Sequence, residues 1–433
     1  MKESTSFPRL KNDDVLNILD KYGISPPTKG LPRDRSEAAV HYYYYYGVFQ
    51  HLAQEGYLST TSKSLCIRGT KLDQEVNALK NAGISDVIMI SGQSFDRFGN
   101  NTFDFAFFGP RTSQDFVLVD QPFEIASEVC RILRHGGYLV VHIAVKDEYS
   151  FNSFVSLFTC CRLTTFRDIK GLNSTSSLRE VVLRKILEDS IWDDIAQRCD
   201  NNTVPEYKRD LIGDLEPLEE KEPMEDWTEQ GKNRESIRSF RYLPTMVDLI
   251  YKRRYIYIDL GARTYDSTIG NWFKKLYPKQ NKNFEIFAIE ADKSFHEEYE
   301  RKKDTLVFGT RNKKREYTGR IQSGQPQVLQ DYKEEQNVVQ AFDFADWLIR
   351  SFSKQDFVVL KMDVEGTEMD LIPRLVKSGA ICLIDELFLE CHYDRWVKCC
   401  SGKRTKRYNS TYDQCFNLFS KLRQAGSLVH QWW

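Results

Sequence analysis

Apolar and polar positions alternate along this chain in two series of short strand patterns and longer helix patterns. The first series opens with "SLCIRG" (64–69), an apolar run stopped by a glycine, and continues with the helical pattern "DQEVNALKNAG" closed by Gly83. It runs on through "DVIMIS" (86–91), "NTFDFAFFG" (101–109), the helix pattern "PFEIASEVCRILRHGG" and the run "YLVVHI" (138–143). Strand, helix, strand at this pitch predicts a doubly wound parallel sheet. The second series repeats the theme with "RYIYIDLG" (254–261), a helix through "IGNWFKKLY", "FEIFAIEAD" (284–292) and the helix "FDFADWLIRSF". "DFVVLKMDVEGTEMDLI" (356–372), "AICLIDELFLECH" (380–392), the helix "YDQCFNLFSKLRQAG" and "SLVHQWW" complete it. Its strands are apolar throughout, as strands covered by helices on both faces must be. The run "HYYYYYGVFQ", with Tyr42 to Tyr46, predicts a helix packed on the first domain, each ring buried with its hydroxyl at a wet or polar edge.

Between the series, "DLIGDLEPLEEKEPMEDWTE" (210–229) sets nine acids against one lysine, a composition that reads as a linker. The expected organisation is therefore a first domain at 1–190 with an N-terminal helical segment, an acidic linker at 191–240, and a second domain at 241–433. The fold class is α/β, two tandem doubly wound, Rossmann-like domains. A chain of 433 residues exceeds the size at which one core stops growing, which agrees with two domains. The net charge of −1 gives no field that favours nucleic acid, and no run approaches the roughly 18 apolar residues of a membrane span. The N-terminal residues lack the apolar core of a signal peptide, so a cytoplasmic location is expected. The ten cysteines include no C-x-x-C pair, and they read as mostly reduced thiols. Asn-x-Thr triplets begin at Asn100, Asn173, Asn201 and Asn409, and carry no meaning without secretion.

Ligands of open parallel sheets bind outside the carboxyl ends of the strands. There the second series places Lys361, Asp363 and Glu365, which share a face if the strand continues that far, and Glu390 and His392 at the same spacing one strand over. Glu368 suits the first turn of the following helix, where the macrodipole favours acids. In "YIDLGARTYDSTIG", Asp259 closes a buried strand and Gly261 lets the turn backbone approach a ligand. Glu290 closes the next strand, where a carboxylate can accept both hydroxyls of a ribose. This is a nucleoside-binding layout.

The segment from "YIDLGA" through "KMDVEGTE" and "LFLECH" to "LVHQWW", about residues 254–433, resembles the FkbM-type S-adenosylmethionine-dependent methyltransferases in the version found in land plants. Residues 62–145, ending in "ILRHGGYLVVH", resemble a second class I methyltransferase domain. The resemblance implies a seven-stranded class I methyltransferase fold with S-adenosyl-L-methionine as cofactor, held by Asp259, Gly261, Ala262, Glu290 and Asp363. It implies Asp363 and Glu365 at the reaction centre with Glu390 and His392 nearby. The expected activity is methyl transfer to an oxygen of a small molecule or sugar, with His392 as base and Asp363 or Glu390 orienting it. No resident metal is expected; Asp363, Glu365 and Glu390 are the only candidates for one. Two rivals stand beside this: a methyltransferase-like scaffold without catalysis, and other acid-base chemistry in the same crevice. In the first domain the glycine turn has become "RGTKLDQ" and Ser91 replaces the ribose acid, which predicts a degenerate domain that does not bind cofactor. In the second, Tyr265 stands where the FkbM pattern has glycine. The basic run of Arg301, Lys302, Lys303, Arg311, Lys313, Lys314 and Arg315 reads as a solvated face.

Overall fold

The computed structural model describes residues 37–67, 74–90, 95–109, 122–170, 177–186, 204–222, 240–292, 295–301, 305–308, 342–396, 403–405 and 407–432. The chain divides into two compact units, residues 1–146 with 154–196, and residues 147–153 with 197–433.

In the first unit, β1 (Ser64–Ile67), β2 (Val87–Ile90), β3 (Phe103–Phe108), β4 (Leu133–Ile143), β5 (Cys161–Lys170) and β6 (Ser177–Lys185) form a sheet in the order β2-β1-β3-β4-β6-β5. The first four strands are parallel, and β6 runs antiparallel to both β4 and β5. Helices α1 (Glu37–Gln54), α2 (Gln74–Asn81) and α3 (Pro122–Ile132) accompany the parallel part. The tyrosine run lies on α1 and is buried from Tyr42 to Tyr46, packed with Phe105, Phe107 and Val140. A helix apolar on all sides has to be enclosed, and here two of the hydroxyls find polar partners while that of Tyr45 is buried without one among the described residues: Tyr44 meets His142 Nδ1 at 3.0 Å, and Asn81 donates to Tyr42 at 2.8 Å. His142 Nε2 in turn lies 2.9 Å from Glu180, which also takes Arg167 Nε at 2.6 Å. The hairpin β5–β6 is absent from the pattern read above. β6 buries Val181, Val182 and Leu183, whereas the edge strand β5 leaves Leu163 and Phe166 exposed.

In the second unit, β7 (Tyr255–Leu260), β8 (Phe284–Ile289), β9 (Thr305–Phe308), β10 (Phe357–Met362), β11 (Glu386–Glu390) and β12 (Val429–Trp432) are all parallel, in the order β12-β11-β10-β7-β8-β9. Six strands, not the expected seven, are present among the described residues. β9 sits inside the segment read as a basic solvated face; of that set only Arg301 is described, and it is exposed, while the others lie outside the described residues. Helices α4 (Glu206–Gly213), α5 (Phe344–Ser351), α6 (Glu368–Ser378) and α7 (Tyr412–Gln424) belong to this unit. Alternate residues of β7 and β10 feed two cores: Ile256, Ile258, Val358 and Leu360 pack with Leu375 and Phe419 on one face. Tyr257, Phe357 and Val359 pack with Trp272, Tyr277 and Phe388 on the other. The two tandem doubly wound α/β domains expected from sequence are thus present.

The described part of the acidic connector, 204–222, packs on the second unit. Leu215 is buried, the Glu219 N–H donates to Gln431 at 2.7 Å, and Glu222 pairs with Arg404 at 2.7 Å. Glu216 takes His430 Nδ1 at 2.8 Å and Arg423 at 3.2 Å, and His430 Nε2 reaches the fully buried Glu386 at 3.0 Å. A bridge from Cys130 to Cys160 and another from Cys391 to Cys415 correct the reading of the cysteines as reduced. No helix among the described residues is long and apolar enough to cross a membrane.

Candidate functional site

The order of strands in the second sheet reverses between β7 and β10, so the crevice outside their carboxyl ends is the topological switch point. Lys361 and Asp259 face each other in register there. Asp259 is fully enclosed: its Oδ2 accepts the Thr268 hydroxyl, and its Oδ1 lies 3.7 Å from Lys361 Nζ. Burial raises its carboxyl above the usual range, against the pull of Lys361. Gly261 follows with φ +82, and a Cβ there would stand 1.8 Å from the Asp363 carbonyl oxygen. Close approach of the loop leaving β10 by itself demands a glycine here.

Glu290 is half-buried at the end of β8, its two oxygens held by the backbone N–H groups of Arg263 (2.6 Å) and Asp292 (2.7 Å). A carboxylate has about four acceptor positions, so two stay available to a ligand. Ala262 is buried and its carbonyl accepts the Tyr299 hydroxyl at 3.2 Å. Of the cofactor set proposed from sequence, Glu290 and Asp363 therefore present carboxylates at the crevice, while Asp259 and Ala262 shape the turn from within. Tyr265 is buried against Tyr299.

The second cluster is built by the exit of β10. Asp363 is partly exposed and lies 3.2 Å from Lys361 Nζ. The chain then turns sharply through Glu365 (φ 51) and Gly366 (φ 99) into α6. Glu365 is therefore off the strand, and a face shared with Lys361 is not the reason Asp363 and Glu365 meet. Glu365 is held by Arg407 at 2.8 Å and by the Tyr408 hydroxyl. Glu368, fully buried, accepts the N–H of Gly366 at 2.9 Å and the N–H of His392 at 2.6 Å, and its Oε1 lies 3.3 Å from His392 Nδ1. This orients the imidazole so that Nε2 faces Asp363 at 3.5 Å, Glu365 at 3.7 Å and Glu390 at 3.8 Å.

Burial and the Asp363 charge push the Glu390 carboxyl up to about 7, against His392, Lys361 and Arg395. Burial works to lower His392, but the Glu368 hydrogen bond and the charges of Glu390 and Asp363 outweigh it and raise the imidazole above its usual value. An imidazole among carboxylates, beside an acid raised to about 7, can take up and return a proton. Asp363, Glu365 and His392 also offer one ligand atom each within 4.8 Å of one another, the arrangement here best able to hold a divalent cation. The candidate set for a metal from sequence had Glu390 in place of His392. The roles of Glu368 and of Arg407 with Tyr408 escaped the sequence reading, because each acts on a residue from another loop. In the first unit, the turn at 68–73 and Ser91 lie outside the described residues.

A profile described as a domain of unknown function, DUF7870, matches residues 215–318 and 308–433. No curated protein matches the chain in sequence. Among solved structures, a SAM-dependent methyltransferase from Methanosarcina mazei is 14% identical over 31% of this chain and 98% of its own, with a TM-score of 0.24. A SAM-dependent methyltransferase from Thermotoga maritima, described as a possible histamine N-methyltransferase, is 16% identical over 34% of this chain and 91% of its own, TM-score 0.23. The N-methyltransferase NodS from Bradyrhizobium japonicum is 13% identical over 33% and 94%, TM-score 0.24.

Proposed function

The chain belongs to the DUF7870 family, and for this member we propose a transferase that moves the methyl group of S-adenosylmethionine to an oxygen of a small molecule or sugar. The observation that carries the proposal is Glu290, a carboxylate locked by two backbone N–H groups beside the turn at the switch point, with acceptor positions left for a ribose. The FkbM-type likeness of "KMDVEGTE" adds an oxygen acceptor to that reading. S-adenosylmethionine, when bound, supplies an already electrophilic methyl carbon. The residues of the chain then have two tasks, to align the acceptor for in-line attack and to take up its proton. Asp363 and Glu390 reach the rim of the crevice and meet the acceptor hydroxyl, and His392 behind them, in its neutral form, accepts the proton, the carboxylates then stabilising the imidazolium that results. Lys361 holds Asp363 in place.

Calorimetric titration of the whole protein with S-adenosylmethionine is the test. One equivalent per chain is expected, and Glu290→Ala should weaken binding about tenfold to a hundredfold, the worth of one charge-assisted hydrogen bond pair. Absence of binding to the parent protein would sink the reading in favour of a scaffold without catalysis.

A further inference from the structure

Each unit contains a disulfide, Cys130–Cys160 in the first and Cys391–Cys415 in the second, joining residues 30 and 24 apart. Cys391 and Cys415 are both wholly buried in the core around β10 and β11. Pairs of this kind persist in compartments that keep thiols oxidised and are rare where thiols are kept reduced. The same chain has four Asn-x-Thr triplets, two of which lie among the described residues. Asn100 and Asn409 are both exposed, and both stand outside helix and strand, Asn100 in the turn before β3 and Asn409 in the irregular stretch before α7. Thr411 has a structural use of its own, since it accepts the Gln414 N–H at 3.3 Å and caps α7. That use explains the threonine but leaves Asn409 unexplained, because its amide makes no hydrogen bond among the described residues.

We propose that Asn409 and Asn100 are N-glycosylation sites of a chain that folds and works in an oxidising lumen. In the reaction the side-chain amide nitrogen bonds to the anomeric carbon of an oligosaccharide, the polyprenyl diphosphate that carried the sugar leaves, and the amide loses one proton. Nothing is oxidised in that step; the cysteine pairs separately give two electrons and two protons each to a disulfide-bearing oxidant of the same compartment. A glycan on Asn409 would follow directly on Arg407 and Tyr408, which hold Glu365, and so would stand at the rim of the candidate site. The inference is independent of the methyl-transfer reading.

The protein isolated from its own source, mapped by mass spectrometry before and after treatment with a peptide N-glycosidase, decides the matter. Expected are glycopeptides at Asn409 and Asn100, conversion of both to aspartate by the enzyme, and linked Cys130–Cys160 and Cys391–Cys415 peptides without reductant. In a eukaryotic host that secretes the full chain, Asn409→Gln and Thr411→Asp should each remove one glycan, and the second variant keeps an acceptor for the α7 cap. Free thiols with bare Asn409 and Asn100 in the native protein would overturn the proposal, as would a secreted protein in which Asn409→Gln leaves the mass of attached sugar unchanged.

Discussion

At Glu368 one carboxylate, shut off from solvent, serves three donors: the N–H groups of Gly366 and His392 and the His392 ring. Its removal strands all three in a dry place, so Glu368→Ala is expected to lower stability by about 3–5 kcal/mol, read from the midpoint of denaturant unfolding. An unchanged midpoint would mean that water or another side chain replaces it. His392→Ala acts differently, because the ring faces the crevice acids. Turnover should fall while affinity for S-adenosylmethionine stays within a few fold, and equal turnover in variant and parent would remove His392 from the mechanism. Asp363, Glu390 and His392 were legible because strand-end acids two apart stand out against apolar runs. Glu368 was not, because its partner His392 is 24 residues away and a helix-first-turn role already accounted for an acid there.

Among the elements, α7 and β11 are tied by Cys391–Cys415, directly beside His392. Closing a loop of 24 residues constrains the unfolded chain, and Cys415→Ser should cost roughly 3 kcal/mol; reduction of the parent, which also opens Cys130–Cys160, should cost more. β12 contributes a different device. Burial works to lower His430, but hydrogen bonds to Glu216 and Glu386 raise it to about 9. A group raised on folding stabilises fully below its unfolded value and loses that contribution as pH climbs through the folded one. Unfolding midpoints should therefore fall between pH of about 6.5 and about 9, by on the order of 3 kcal/mol, and the slope should flatten in His430→Gln. Strand and helix positions with continuous apolar bodies were readable from sequence, as was the tyrosine helix. The hairpin β5–β6 was missed because its strands are interrupted by charged residues and follow no clean period, and β9 because four residues among basic ones leave too short a period to see.

Across the whole molecule the two units share an architecture but differ in their edges, the first closing with an antiparallel hairpin and the second parallel throughout. Binding of a single equivalent of S-adenosylmethionine, unaffected by Ser91→Ala, is the expected result for a first unit that is scaffold. A stoichiometry of two would overturn that assignment. The two-domain plan was legible because each series repeats the strand and helix pitch. The part played by the acidic connector was not, since Glu216, Glu219 and Glu222 find their partners roughly 180 to 210 residues further on. The central pair of the second sheet, β7 with β10, likewise joins residues about a hundred positions apart. Loop closure of that length must be met before any contact rewards it, so β7, β8 and β9 can associate early while β10 docks late. Asp259 comes from one side of that seam and Lys361 and Asp363 from the other. The crevice is then completed only when the two halves of the sheet meet, and a half-folded molecule would display the first strands of the site with nothing opposite them.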